Sequence, residues 1–164
     1  MISKKVIFLD RDGVINKERK DYVKTKEELE IFPNIVNSIK KLKDDGFYII
    51  VVTNQSAINR KLMTQNNVEE IHNEIQEYMK NHDTSIDDFY YCPHRPDENC
   101  SCRKPKSGLL LQAKKDYNII MEKSWIIGDN DSDIESGTSV GCRGIKITEN
   151  FGLENATQKI LKSK

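Results

Sequence analysis

Three apolar runs constrain this chain more than any other feature. Val6-Ile7-Phe8-Leu9, Tyr48-Ile49-Ile50-Val51-Val52 and Trp125-Ile126-Ile127 are continuous, not alternating. A strand with one wet face alternates polar and apolar residues. A continuous run is the pattern of a strand buried on both faces, as in a parallel sheet covered by helices. Phe89-Tyr90-Tyr91 and the shorter Ile145-Lys146-Ile147 read as two further strands.

Helical patterns fill the gaps. Ile35, Val36, Ile39 and Leu42 recur at helical spacing after Pro33-Asn34, and Gly46 supplies a stop. Val68, Ile71, Ile75 and Met79 form one stripe behind Thr64, a residue suited to the N-cap. Ser107 can cap a helix carrying Leu110, Leu111 and Lys114, while 131–137 reads as a short helix and 153–161 as a terminal one. The expected class is α/β, an open, doubly wound, mainly parallel sheet with right-handed crossovers. The chain has 164 residues, which predicts a single domain over 1–164. Two segments fit neither strand nor helix, 16–32 and 92–106. Long irregular segments in compact domains are usually functional or mobile.

Composition narrows the partners. Lys+Arg and Asp+Glu each number 26, so the formal net charge is zero. Proteins that live on a nucleic-acid backbone or an anionic membrane usually carry a basic excess, so neither partner is expected. No stretch approaches membrane-spanning length, and the four-residue run from Val6 to Leu9 is too short for a secretory core. The expected compartment is the cytoplasm, and a monomer is the expected state.

The chemistry sits where the strands end. The first run ends in Asp10, with Asp12 two residues on. The second ends in Thr53-Asn54-Gln55-Ser56. The third ends in Gly128-Asp129, followed by Asp131 and Asp133. In a parallel sheet the C-terminal strand ends share one edge, so these groups converge. Asp10 and Asp129 form a hard, anionic, oxygen-only cluster that suits Mg²⁺. A carboxylate held against a metal and a phosphoryl group can be the nucleophile. Asp12 is placed to protonate a leaving alkoxide and to deprotonate water. Thr53, the amides after it and Lys104 can hold phosphoryl oxygens. Gly13 and Gly128 allow close backbone approach.

Four segments, Asp10-Arg11-Asp12-Gly13, Val52-Thr53-Asn54-Gln55-Ser56, Arg103-Lys104-Pro105 and Gly128-Asp129-Asn130-Asp131-Ser132-Asp133, resemble the ordered motifs of the haloacid dehalogenase (HAD) superfamily. The resemblance implies a phosphomonoester hydrolase with Asp10 as nucleophile, Asp12 as acid and base, and Thr53 and Lys104 on the phosphoryl group. It also implies Mg²⁺ held by Asp10, Asp129 and the backbone carbonyl of Asp12. Aspartate at the second position of the first motif fits a phosphatase, because an ester leaving group needs a proton.

Cys92, His94, Cys100 and Cys102 give C-x-H-x5-C-x-C, four ligands suited to a tetrahedral, closed, structural Zn²⁺. The zinc loop spans 92–102, and its polar interior cannot form a core of its own. Metal would fix it and aim Arg103 and Lys104 at the site. Cys142 reads as a small buried residue, and His72 and His82 as surface residues. The spacing is similar to the zinc-loop branch of the HAD phosphatases, which includes heptose-bisphosphate and histidinol-phosphate phosphatases and has no large cap domain. Thr53 to Arg60 is more similar to the heptose-bisphosphate members, although Ala57 and Asn130 depart from their pattern. The resemblance implies release of the 7-phosphate of D-glycero-D-manno-heptose 1,7-bisphosphate, with substrate contacts from Asn54, Gln55, Ser56, Arg103, Glu18 and Asp21. Histidinol phosphate, a polynucleotide 3′-phosphate and a non-catalytic binding module are the other readings. The Ser56 and Arg60 region weighs against the first. Zero net charge and the zinc loop weigh against the second. The intact Asp10, Asp12, Thr53, Lys104 and Asp129 weigh against the third.

Overall fold

The computed structural model describes residues 2–163. Five strands, β1 (Val6–Leu9), β2 (Tyr48–Asn54), β3 (Asp88–Cys92), β4 (Trp125–Gly128) and β5 (Arg143–Lys146), form one sheet in the order β3-β2-β1-β4-β5. Every neighbouring pair is parallel. Helices α1 (Ile35–Asp44), α2 (Gln65–Asn81), α3 (Gly108–Tyr117), α4 (Asp131–Thr138) and α5 (Leu153–Lys162) alternate with the strands.

The unbroken apolar runs are explained by what covers each face. Ile7, Leu9, Ile49, Val51 and Ile127 pack into a core with residues of α1, α2 and α5. Val6, Phe8, Ile50, Val52 and Ile126 pack into a second core with Leu109, Leu110 and Ala113 of α3. Successive strand residues point to opposite faces, so both faces demand apolar side chains. β1 lies at the centre, with Leu9 opposite Val51 on one side and Ile127 on the other. The chain runs outward from β1 through β2 to β3, then returns to β4 on the far side. That reversal opens a crevice beyond the C-terminal ends of β1 and β4.

Local signals match most of the elements. Thr64 caps α2, its Oγ1 accepting from the Asn67 amide at 3.2 Å. Gly46 follows α1 at φ +91°, a left-handed conformation that glycine adopts without a steric cost. Three details differ from expectation. Ser107 stands at the start of α3 but makes no side-chain cap; its Oγ donates instead to the Ser136 carbonyl at 2.9 Å. Leu111 is 49% exposed while Leu109, Leu110 and Ala113 are buried, so α3 is rotated from the stripe the sequence suggests. His72 is buried, not on the surface. It lies on the sheet-facing side of α2, stacked on Phe89 with ring centroids 4.6 Å apart. Cys142 is buried as expected.

The rotation of α3 has a measurable consequence. Leu110→Ala should cost about 3 kcal/mol of unfolding free energy, and Leu111→Ala less than about 0.5 kcal/mol. Urea unfolding of the two variants reads this directly. Equal losses would mean that α3 presents a different face to the sheet.

Candidate active site

All three reactive strand ends meet at the crevice. Asp10 follows β1, and its amide donates to the Ile127 carbonyl of β4 at 3.1 Å. Thr53 and Asn54 end β2, and Asp129 follows β4. A cavity of about 660 Å³ opens over these ends. Asp10, Asp12, Thr53, Asn54, Ser56, Arg103 and Lys104 line it, together with Glu18, Arg19, Lys20, Tyr22 and Val23 from the 16–32 segment. The two irregular segments therefore form its walls.

Lys104 is the electrostatic centre. It is only 3% exposed. Its Nζ lies 2.9 Å from Asp10 Oδ1 and 2.6 Å from Asp133 Oδ1, and donates to the Val52 carbonyl at 2.8 Å. Burial alone would lower its pKa, but Asp10 and Asp133 outweigh that and raise it, so the amine stays charged. Asp10 is pushed up to about 7, first by burial, against the pull of Lys104 and with a further push from Asp133. Asp129 is also raised, by burial and by Asp133.

Acidic groups cluster at the ends of β1 and β4. Asp10, Asp12, Asp129 and Asp133 face Lys104 and Arg11. Oxygens of Asp10, Asp129 and Asp133 lie within 4.8 Å of one another. A divalent cation would neutralise this cluster, and the all-oxygen donor set suits Mg²⁺. Glycine makes the close approach possible. A Cβ at Gly13, whose φ is +90°, would strike the Asp129 carboxylate, and one at Gly128 would strike Asp133.

Asp12 is held differently. Arg11 Nη2 donates to its Oδ1 at 2.9 Å, Asn16 Nδ2 to Oδ1 at 2.9 Å and Gln55 Nε2 to Oδ2 at 3.0 Å. Burial would raise its pKa, but Arg11, Asn16 and Gln55 together hold it below the ordinary carboxylate value. Gln55 also donates to Thr53 Oγ1 at 3.0 Å. It is buried behind these groups and does not line the cavity.

The zinc-like loop is compact. His94 Nδ1 lies 3.3 Å from Cys92 Sγ and 3.2 Å from Cys102 Sγ, and Cys92 Sγ lies 3.6 Å from Cys100 Sγ and 3.1 Å from Cys102 Sγ. A tetrahedron with Zn–S bonds of about 2.3 Å has S···S edges of about 3.8 Å. The four donors thus already form a nearly closed shell, and all four cysteines of the chain are free thiols. Burial opposes ionisation of Cys100, but the amides of Arg103 and Cys102 outweigh it and bring the thiol down to about 6. The residues fit a soft tetrahedral metal. The same loop delivers Lys104 to Asp10: Arg103 N donates to Cys100 Sγ at 3.3 Å, and Lys104 N to Asn54 Oδ1 at 3.0 Å.

Some positions differ from those read from sequence. Asp21 does not line the cavity; its exposed carboxylate pairs with Arg19 and Lys24, at 3.2 and 3.1 Å. Arg19 and Lys20 line the wall where it was expected. Arg60 lines the cavity and donates from Nε to Ser56 Oγ at 3.2 Å. Asp133 and Arg11 were not assigned from sequence. Asp133 had a signal, because the third residue after a helix N-cap often reaches back to it; here its Oδ2 accepts from Asn130 N at 3.1 Å.

Parallel sheet, aspartate pair and buried lysine define a phosphatase of the HAD superfamily. Residues 5–156 match the family model described as polynucleotide kinase 3 phosphatase. The D-glycero-beta-D-manno-heptose-1,7-bisphosphate 7-phosphatase of Helicobacter pylori strain J99 is 40% identical over 148 residues, 89% of this chain and 84% of that protein. The enzyme of the same name from Pseudomonas aeruginosa is 34% identical over 152 residues, 93% of this chain and 85% of that one. The fold matches the crystal structure of the D,D-heptose 1,7-bisphosphate phosphatase from B. bronchiseptica complexed with magnesium and phosphate. Its TM-score is 0.89 at 24% identity, covering 98% of this chain and 99% of that one. This chain belongs to the HAD phosphatase family that contains these heptose-bisphosphate 7-phosphatases.

The buried histidine gives the site a pH signature. Arg11 Nη1 lies 3.2 Å from His72 Nε2. Arginine can only donate, so Nε2 accepts and the imidazole is neutral. Burial, then Arg11, depresses its pKa to about 3, against 6.5 in the unfolded chain. Its stabilising contribution is therefore full above about pH 6.5 and is lost as pH falls toward 3. Between pH 7 and pH 5 the wild type should lose about 2 kcal/mol more stability than His72→Gln, by urea unfolding. Equal acid slopes would show that native His72 takes up the proton.

Proposed function

We propose that this protein removes the 7-phosphate of D-glycero-D-manno-heptose 1,7-bisphosphate through a phosphoenzyme on Asp10. The observation that carries this reading is the meeting of Asp10, Asp12 and Lys104 in one cavity. The names of relatives at 40% and 34% identity support the substrate.

The residues divide the work. An Asp10 oxygen attacks phosphorus while the ester P–O bond breaks, and Asp12, which must carry a proton when the substrate is bound, gives it to the leaving oxygen. Asp12 then takes a proton from water as the water oxygen attacks the phosphorus of phospho-Asp10. Phosphate leaves and Asp10 is restored. Thr53 and Lys104 hold the phosphoryl oxygens, where charge gathers in the transition state. Asp10, Asp129 and the Asp12 carbonyl would hold Mg²⁺, with Asp133 closing the acidic cluster. When bound, that ion supplies positive charge for the phosphoryl oxygens and relieves the carboxylate crowding. Cys92, His94, Cys100 and Cys102 would hold a structural Zn²⁺ that keeps Arg103 and Lys104 in register.

Asn54, Ser56, Arg103 and Glu18 border the space where the sugar would lie. A guanidinium such as Arg103 suits a second, unreacted phosphate. Among the described residues no helix is long and apolar enough to cross a membrane. A monomer working in the cytoplasm on a small phosphorylated sugar fits this reading.

Asp10→Asn should reduce phosphate release by more than about 10³-fold with an unchanged circular dichroism spectrum. Activity near wild type would rule out the covalent route. The substrate is tested with Mg²⁺ and a panel of heptose 1,7-bisphosphate, histidinol phosphate, fructose 1,6-bisphosphate and a 3′-phosphorylated oligonucleotide. The heptose bisphosphate should be preferred; preference for another member reassigns the substrate and leaves Asp10 in its role. Cys100→Ser/Cys102→Ser should abolish zinc binding and lower Tm by several degrees. Metal analysis and a thermal melt unchanged from wild type would mean that the cluster is not a metal site.

A further inference from the structure

Arg11 heads the fully buried side chains by volume, at 0% exposure. It lies one residue from the nucleophile, yet it does not line the cavity. A guanidinium cannot shed its proton, so a buried one is stable only with partners for its charge and its fork of donors. Arg11 has two. Its Nη2 donates to Asp12 Oδ1 at 2.9 Å and approaches Oδ2 at 3.3 Å, and its Nε donates to Oδ1 at 3.3 Å. On its other side, Nη1 donates to His72 Nε2.

His72 is itself immobilised. Its ring stacks on Phe89 with an interplanar angle of 16°, and Tyr91 packs edge-on with centroids 5.9 Å apart. A continuous contact path therefore runs from the rings of β3, through α2, to Asp12. Asn16 and Gln55 each hold one Asp12 oxygen. Arg11 reaches both, and so fixes the plane of the carboxyl group. An apolar side chain would fill this volume without the desolvation cost of a charge. A core-filling role alone does not explain a charge at this place.

We propose that Arg11 is a positioning residue that holds the Asp12 carboxyl group in the orientation from which it exchanges protons with the leaving and attacking oxygens, and that His72 aims Arg11 by accepting its outer N–H. This inference rests on the acid–base role proposed above for Asp12. The balance of that step provides the test. When the P–O bond breaks, its electron pair stays on the ester oxygen. An alkoxide needs the Asp12 proton at that moment, whereas a 4-nitrophenolate leaves without one. A misplaced Asp12 therefore slows transfer from an alkyl phosphate and spares transfer from an aryl phosphate. A general loss of structure slows both alike.

The experiment is rapid-quench measurement of the first turnover by the full chain with Mg²⁺, using heptose 1,7-bisphosphate and 4-nitrophenyl phosphate. His72→Phe keeps the stacking on Phe89 and removes the acceptor. It should slow alkyl transfer by about tenfold and aryl transfer by less than about twofold, part of the about 10²–10⁴-fold that acid–base help supplies. His72→Gln, whose amide oxygen accepts from Arg11, should recover most of that loss. Arg11→Lys keeps the buried charge but not the fork, and should show the same selective loss, about 10²-fold on the alkyl ester. It carries the comparison if His72→Phe does not fold. Equal slowing of both esters, or equal loss in the Phe and Gln variants, would overturn the proposal. A wild-type enzyme that turns over neither ester would instead remove the functional reading beneath it.

Discussion

The site depends on one buried ammonium. Lys104 Nζ bridges Asp10 after β1 and Asp133 of α4, and donates to a carbonyl of β2. Three elements that are distant in sequence thus share one buried charge at the floor of the cavity. Such contacts are strong only when complete. Taking away one member of a buried ion pair typically costs about 3–5 kcal/mol, because the remaining charge is left uncompensated. The lysine itself arrives on a segment with little core of its own, so the cysteine and histidine cluster before it is part of the same electrostatic arrangement. Asn54 of β2 fixes the backbone of Lys104, accepting from its N at 3.0 Å and donating to its carbonyl at 3.2 Å.

The acidic side of the site follows from sheet topology. Parallel strands deliver their C-terminal residues to one edge, and β1, β2 and β4 are neighbours there. Burial there, with a further push from Asp133, raises both Asp10 and Asp129. Asp12 lies close by, but cationic and neutral donors hold its carboxyl group below the ordinary carboxylate value. The same edge thereby places two chemically different aspartates side by side. The site is poised for a cation, and Gly13 and Gly128 keep the space that the crowded carboxylates need.

Much of this was legible in the residues. Unbroken runs at Val6–Leu9 and Trp125–Ile127 point to strands covered on both faces, and reactive residues at their ends point to one edge. The cysteine and histidine cluster was visible too, because its four residues lie within eleven positions of one another. The remainder depended on tertiary packing. His72 sits next to Ile71 on an amphipathic helix, and helical spacing alone does not say that the buried face of α2 extends to it. Nothing in the sequence around Arg11 shows that it is buried between Asp12 and His72. Leu111 was misplaced because three consecutive leucines, Leu109 to Leu111, are compatible with more than one rotation of α3. Asp21 was misplaced because the 16–32 segment has no period from which to infer which side chain faces inward.

Asp10 and the wall beside it are anchored in different ways. Asp10 follows the central strand directly, hydrogen-bonded through its amide to β4. Arg19 and Lys24 are joined to Asp21 and Glu28 within their own segment. Exposed pairs of this kind contribute little to stability. Substitutions at these charged wall positions are therefore nearly free of folding penalty, whereas substitutions at buried Val23 or at the strand ends are not. Over evolutionary time such an architecture lets descendants exchange one phosphorylated metabolite for another by drift in a surface loop, while the bond-breaking apparatus passes on unaltered.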